Sequence, residues 1–217
     1  EGKIVYQGAS PDEISLVKGA QQMGFEYVSK QFNEITIKDY FTNSEKKYDI
    51  KFEMPFDSDR KRMSVVIYNR CTKEYEILSK GADSVMLELM TFQEQEKEEV
   101  VRVINVLSKE GLRVLVMARK TIPEETFTEW INRINITRNR NEDDLPSLYD
   151  EMENDLTFCG CSAIEDKLQE GVSEAIYTLL TCNIRLWVLT GDKQDTAEEI
   201  AKSCKLINEN MYVTYLV

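Results

Sequence analysis

Histidine is absent from the 217 residues, and its absence removes Ser-His-Asp and Cys-His triads and every His-ligated metal site. Long apolar runs are absent too. None approaches the ~20 residues of a spanning helix, so the chain does not cross a membrane in that form. Basic charge is in deficit, with 27 Lys and Arg against 39 Asp and Glu, a formal charge of −12. That balance argues against a nucleic-acid partner, which wants a basic field, and against a polybasic membrane-surface module. The five cysteines, Cys71, Cys159, Cys161, Cys182 and Cys204, follow no zinc spacing. Cys159-Gly-Cys161 falls one residue short of a C-x-x-C pair. An odd count without a framework reads as reduced thiols. Neither a Gly-x-x-x-x-Gly-Lys-Ser/Thr loop nor a kinase glycine-rich loop occurs.

What is present is a globular composition, 42% hydrophobic and 30% charged, enough for one domain or one and a half. No signal peptide opens the chain, and it stops on the apolar Met211-Tyr-Val-Thr-Tyr-Leu-Val217. The expectation is a piece of a longer protein.

Residues 3–7 are a strand candidate. Ser10-Pro-Asp-Glu13 then supplies an N-cap, a proline at the first helical position and an N3 acid. Ile14, Val17, Ala20 and Met23 carry the helical spacing after it, and Gly24 stops it. Alternation predicts strands over 26–29, 35–38, 47–54, 63–68 and 75–79, with a hairpin connection at Asn69–Lys73. Helices are predicted over 82–89 and 93–110, a strand over 113–118, and a charged helical stretch over 121–155 with an acidic loop at 139–144. From 156 the pattern becomes strand, helix, strand, helix: 156–164, 168–181, the apolar run Ile184–Leu189, and 196–204. That order implies a parallel sheet with crossover helices. The fold class read here is α+β, an antiparallel sheet flanked by helices over 1–155, followed by a partial α/β segment over 156–217.

Several stretches have a functional reading beside a structural one. Thr190-Gly-Asp192 follows an apolar strand and precedes a helix, where backbone N–H groups meet phosphate in α/β sheets; a tight turn explains it equally well. Asp166, between a strand and a helix, offers a carboxylate to a metal or a ribose, or merely suits a helix N-terminus. Phe56-Asp-Ser-Asp-Arg-Lys-Arg62 sets an aromatic before three cations. Phe56 could stack on a base with Arg60, Lys61 or Arg62 toward phosphate. Taken alone, it reads better as core. Lys80, at the end of a strand, reaches a cleft or solvent, and Arg113 opens an otherwise apolar strand.

Taken together, Ser10-Pro-Asp-Glu13, Phe56–Val66, Lys80-Gly-Ala-Asp83, Gly111-Leu-Arg113, Asp166-Lys-Leu-Gln-Glu-Gly-Val172 and Leu189-Thr-Gly-Asp-Lys193 resemble the type-IV P-type ATPases, the phospholipid flippases, along nearly the whole chain. The resemblance implies a nucleotide-binding domain at 1–155 and an incomplete, haloacid-dehalogenase-like fragment of the phosphorylation domain at 156–217. By the same resemblance Phe56 stacks on adenine, Glu13 stands at the adenine side, and Lys80 lies at the base of the pocket. Arg113 reaches toward the phosphates, Thr190, Gly191 and Asp192 meet the γ-phosphate end, and Asp166 lies near the ribose. ATP and Mg²⁺ are the implied ligands, with magnesium ligands largely outside these residues and no catalytic residue within them. The family's Asp-Lys-Thr-Gly-Thr and Gly-Asp-Gly-x-Asn-Asp motifs are absent, so the chain alone is expected to bind ATP without turning it over. The implied whole protein is a multi-pass membrane enzyme with this part on the cytoplasmic side; its partners would be a phospholipid and an accessory subunit. A regulatory pseudo-pump domain that senses nucleotide fits the same motifs. A stand-alone phosphatase of the haloacid-dehalogenase type fits less well, because no Asp-x-Asp strand precedes residue 10. Residues 156–217 are expected to pack poorly, or to pair their free edges with residues 1–155 or another chain.

Overall fold

The computed structural model describes residues 5–8, 10–165, 168–191, 194–208 and 210–215. Helix α1 (Pro11–Gln22) begins as the capping residues require: the Ser10 hydroxyl accepts from the Glu13 N–H at 3.3 Å, with proline in the first turn. It ends before Gly24, which holds φ +91, a conformation that costs glycine little. An antiparallel meander follows: β1 (Phe25–Gln31), β2 (Glu34–Asp39), β3 (Ser44–Asp57), β4 (Arg62–Asn69) and β5 (Glu74–Ala82). After α2 (Asp83–Met86) and α3 (Glu94–Lys109) the chain returns as β6 (Arg113–Ile122), antiparallel to β5. Helices α4 (Glu124–Arg140) and α5 (Leu145–Met152) flank a 3-10 turn at Glu142–Asp144. They precede β7 (Thr157–Ile164), α6 (Val172–Thr181) and α7 (Gln194–Ser203). The strands form one seven-stranded sheet in chain order.

The chain parts into two compact units, residues 1–93 with 115–162 and residues 94–114 with 163–217.

In the first unit, strand alternation builds the core. Phe52, Met54, Val66, Ile77, Val116 and Ala118 are buried on one sheet face. Helices α4 and α5 close over them. Trp130 meets Phe52 edge-on at 5.1 Å between centroids and donates its indole N–H to the Leu148 carbonyl at 2.8 Å, while Phe127 stacks on Tyr75 at 4.5 Å. In the second unit, α3 and α7 pack together, burying Ile104 and Ala201.

The β2–β3 turn carries an acid-sensitive contact. The buried Asp39 carboxylate pairs with Lys46 at 2.7 Å and accepts from the N–H groups of Phe41 and Thr42 at 2.9 and 3.2 Å. Lys46 above all, with those donors, brings its pKa down to about 2. A depressed folded pKa stabilises the fold above the ordinary carboxylate value of ~4 and loses that contribution as pH falls toward 2. Urea midpoints measured from pH 5 to pH 2 should therefore fall less steeply in Asp39→Asn than in wild type. Parallel pH profiles would show that Asp39 has no part in the acid loss.

Two sequence expectations change. The helix expected over 82–89 shortens to the single turn of α2, and Ile184–Leu189 forms no strand and pairs in no sheet among the described residues. Trp187 and Leu189 there are 85% and 94% exposed. The expected parallel, haloacid-dehalogenase-like sheet is accordingly not seen among the described residues. A fully apolar strand is buried only with strands beside it and helices over both faces. The one strand the described residues of 156–215 provide, β7, joins the antiparallel sheet next to β6.

Candidate functional site

The uncovered face of the sheet in the first unit carries the predicted residues of that unit. The registers set Lys80 opposite Met63 on β4 and opposite Met117 on β6. All three side chains are half-buried. Across the fold from Lys80 in sequence, Glu13 of α1 accepts a charge-assisted hydrogen bond from its ammonium. Two residues 67 positions apart, each singled out from its own motif, are therefore one ion pair. Lys80 is neither the exposed strand-end lysine of the structural reading nor unpartnered.

Phe56 reaches this face by way of an irregularity. Met54 opposes Ser64, but Asp57 opposes Arg62, so β3 has one residue more than β4 between those pairs. Pro55 and Phe56 together then face Met63, whereas regular pairing would set Phe56 opposite Arg62 on the packed face. Phe56 is 63% exposed. This overturns the reading of Phe56 as core. Neighbouring strands lie ~4.8 Å apart, so Phe56, Met63 and Lys80 form a row about 10 Å long, an aromatic at one end and a cation at the other.

Gly81 explains the Lys-Gly-Ala-Asp run. A Cβ there would lie 2.6 Å from the Arg62 Cβ and 2.7 Å from the Lys61 carbonyl oxygen, which already accepts from the Ala82 N–H. Gly81→Ala should lower stability by about 1–3 kcal/mol through this overlap. An unchanged urea midpoint would show that the close approach is not a constraint.

Arg60 and Arg62 do not face the open side, as the phosphate reading had them. Both guanidinium groups bind Glu153, at the C-terminal end of α5 and fully buried. Sequence reasoning missed Glu153, although a signal existed: β4 alternation sets Arg62 on the inward face with Ser64 and Val66, and a buried arginine demands an acid.

The other predicted residues belong to the second unit or are not described. Arg113 begins β6 and is half-buried; Thr190 and Gly191 precede α7. A Cβ on Gly111 would come within 3.2 Å of the Glu199 Cβ, so the Gly111-Leu-Arg113 run passes against α7. Asp192 and Asp166 lie outside the described residues. No cluster of three acidic or cysteine side chains able to hold a metal ion occurs among the described residues. A cavity of about 580 Å³ lies along α4, lined by Pro123, Thr128 and the acids Glu124, Glu125 and Glu129, whose charges would repel an anionic ligand. No helix among the described residues is long and apolar enough to cross a membrane.

Residues 5–171 match the family described as P-type ATPase, cytoplasmic domain N. The chain belongs to the P-type ATPases. The mouse phospholipid-transporting ATPase IC is 38% identical over 218 residues, 99% of this chain and 17% of that protein. The human phospholipid-transporting ATPase ID is 39% identical over 221 residues, 100% of this chain and 18% of that protein. Phospholipid-transporting ATPase DRS2 of Saccharomyces cerevisiae is 38% identical over 215 residues, 97% of this chain and 16% of that protein. The expected resemblance to the lipid-transporting branch is thus met by relatives of that name. This P-type ATPase chain spans less than a fifth of their length.

Proposed function

We propose that the chain is the nucleotide-binding part of a phospholipid-transporting P-type ATPase, and that ATP binds on the open face of its first unit. The single observation that carries this reading is the row from the exposed Phe56 to the Glu13–Lys80 pair, held on one face by the β3 irregularity. A large aromatic ring in water and a half-buried cation on the same open face, one strand between them, supply a platform and a charge suited to a nucleotide. Phe56 stacks on the adenine, Glu13 stands at the adenine side, and Lys80 forms the base of the pocket. The family resemblance assigns Arg113 to phosphate charge, Thr190, Gly191 and Asp192 to the γ-phosphate end, and Asp166 to the ribose. Mg²⁺ arrives on the nucleotide, where it offsets phosphate charge.

In the whole pump, phosphoryl transfer to an aspartate outside these residues would couple ATP hydrolysis to phospholipid movement between leaflets. An accessory subunit would be a further partner. The chain would lie on the cytoplasmic side of a multi-pass membrane protein, and alone would bind ATP without hydrolysing it.

Titrating ATP into the 217-residue chain, with and without Mg²⁺, tests the reading. Saturable binding that falls at least five-fold in Lys80→Met is the expected result. A folded chain that takes up no ATP at millimolar concentration would refute it.

A further inference from the structure

We propose that Glu153 is a positioning residue for nucleotide, acting from behind the sheet through the β3–β4 turn that presents Phe56. The inference rests on the nucleotide reading above. Glu153 touches no part of the open face. Its carboxylate, 0% exposed, accepts from Arg60 Nη2, from Arg62 Nε at 2.7 Å and from the Ser64 hydroxyl at 2.5 Å. Ser64 Oγ in turn lies 2.7 Å from Ser79 Oγ, and Ser79 is the neighbour of Lys80 along β5. Asp150, one turn earlier on α5, pairs with Arg62 as well. One carboxylate therefore ties together the end of α5, the β3–β4 turn, β4 and β5.

The turn is closed at its other side by Asp57, whose Oδ1 accepts from the N–H groups of Asp59 and Arg60 at 2.8 and 3.0 Å. The Lys61 N–H donates to the Asp57 carbonyl at 2.7 Å. With Arg60 fixed by Glu153 and Asp57 fixed to Arg60, the extra residue between Met54 and Asp57 has one place to go. It stays opposite Met63, and Phe56 stays on the open face. Buried ion clusters contribute little net stability compared with apolar packing, so fixing a geometry is a use that suits this one. Removing the carboxylate frees the turn to recover regular pairing, which carries Phe56 toward the packed face.

The test is a double-mutant cycle on the 217-residue chain. ATP binding is followed by the adenine H2 and H8 proton resonances, which remain readable at millimolar affinity. Circular dichroism at the titration temperature verifies the fold of each variant. Glu153→Gln should weaken ATP about five-fold or more when Phe56 is present, and less than two-fold in a Phe56→Ala background, because the lost interaction is already gone. A role in folding alone lowers the melting temperature and leaves the affinity of the folded protein alike in both backgrounds. Equal losses in the two backgrounds, or no loss in either, overturn the proposal. Should Glu153→Gln not fold, Arg60→Met goes through the same cycle with the same expectations, since it removes the Nη2 that Glu153 holds and keeps an unbranched stem of similar reach. A wild type that binds no ATP sinks the nucleotide reading itself and this inference with it, whereas a Phe56→Ala variant that binds as wild type does removes the aromatic platform and overturns this inference alone.

Discussion

Phe56→Ala is expected to weaken ATP binding ten-fold or more while leaving the fold in place. Stacking of a base on an aromatic is worth roughly 1–3 kcal/mol, and about 1.4 kcal/mol is a factor of ten in affinity. The fold should tolerate the change because the ring is mostly in water and has no ring partner among the described residues. Phe41 provides the control. It is 77% exposed and packs beside Phe25 near the β2–β3 turn, off the Phe56–Lys80 row. Phe41→Ala should leave ATP affinity unchanged. Equal affinity in wild type and Phe56→Ala would remove the aromatic platform from the mechanism, whatever the chain is found to bind.

The largest effect on stability is expected at Phe52→Ala, about 3–5 kcal/mol. Phe52 is buried between Trp130 and Tyr149, and the Arg138 guanidinium lies 5.5 Å over its ring. Truncation removes the transfer free energy of the ring, leaves a cavity, and forfeits an edge-to-face aromatic pair worth ~0.5–1.5 kcal/mol beyond its area. Against the ~5–15 kcal/mol that holds an ordinary domain together, the loss is a large fraction. Urea denaturation followed by tryptophan fluorescence in a Trp187→Phe background, where Trp130 alone emits, measures it directly. A shift below 1 kcal/mol would mean that α4 and α5 do not depend on the sheet for their place.

The meander was legible because its evidence is local. Alternation in Met63–Tyr68 and Tyr75–Ser79, the turn chemistry of Asn69–Lys73 and the Ser10 cap each act within a few residues, and the observed strands extend the predicted ones by a few positions at their ends. Ile184–Leu189 failed for the opposite reason. Its apolar run states only that the segment is fit for burial, and whether it becomes a strand depends on neighbours that the described residues do not supply. Residues 156–164 read as a strand of a parallel sheet, whereas the strand Thr157–Ile164 pairs beside β6, since nothing in so short a segment distinguishes the two pairings.

The candidate site divides along the same line. Residue type and order alone singled out Glu13, Phe56 and Lys80 as candidates, and determined that the chain is of P-type ATPase kind, because motifs are read in one dimension. Tertiary structure alone decided that Glu13 and Lys80 form one ion pair, that Phe56 is a surface ring rather than core, and that Arg60 and Arg62 turn inward. Each of those outcomes depends on a partner distant in sequence or on a one-residue slip in strand pairing. A slip of one residue moves a side chain to the other face of a sheet without changing a letter of the sequence. Glu153, 91 positions from Arg62, becomes its counter-ion only once α5 has closed over β4.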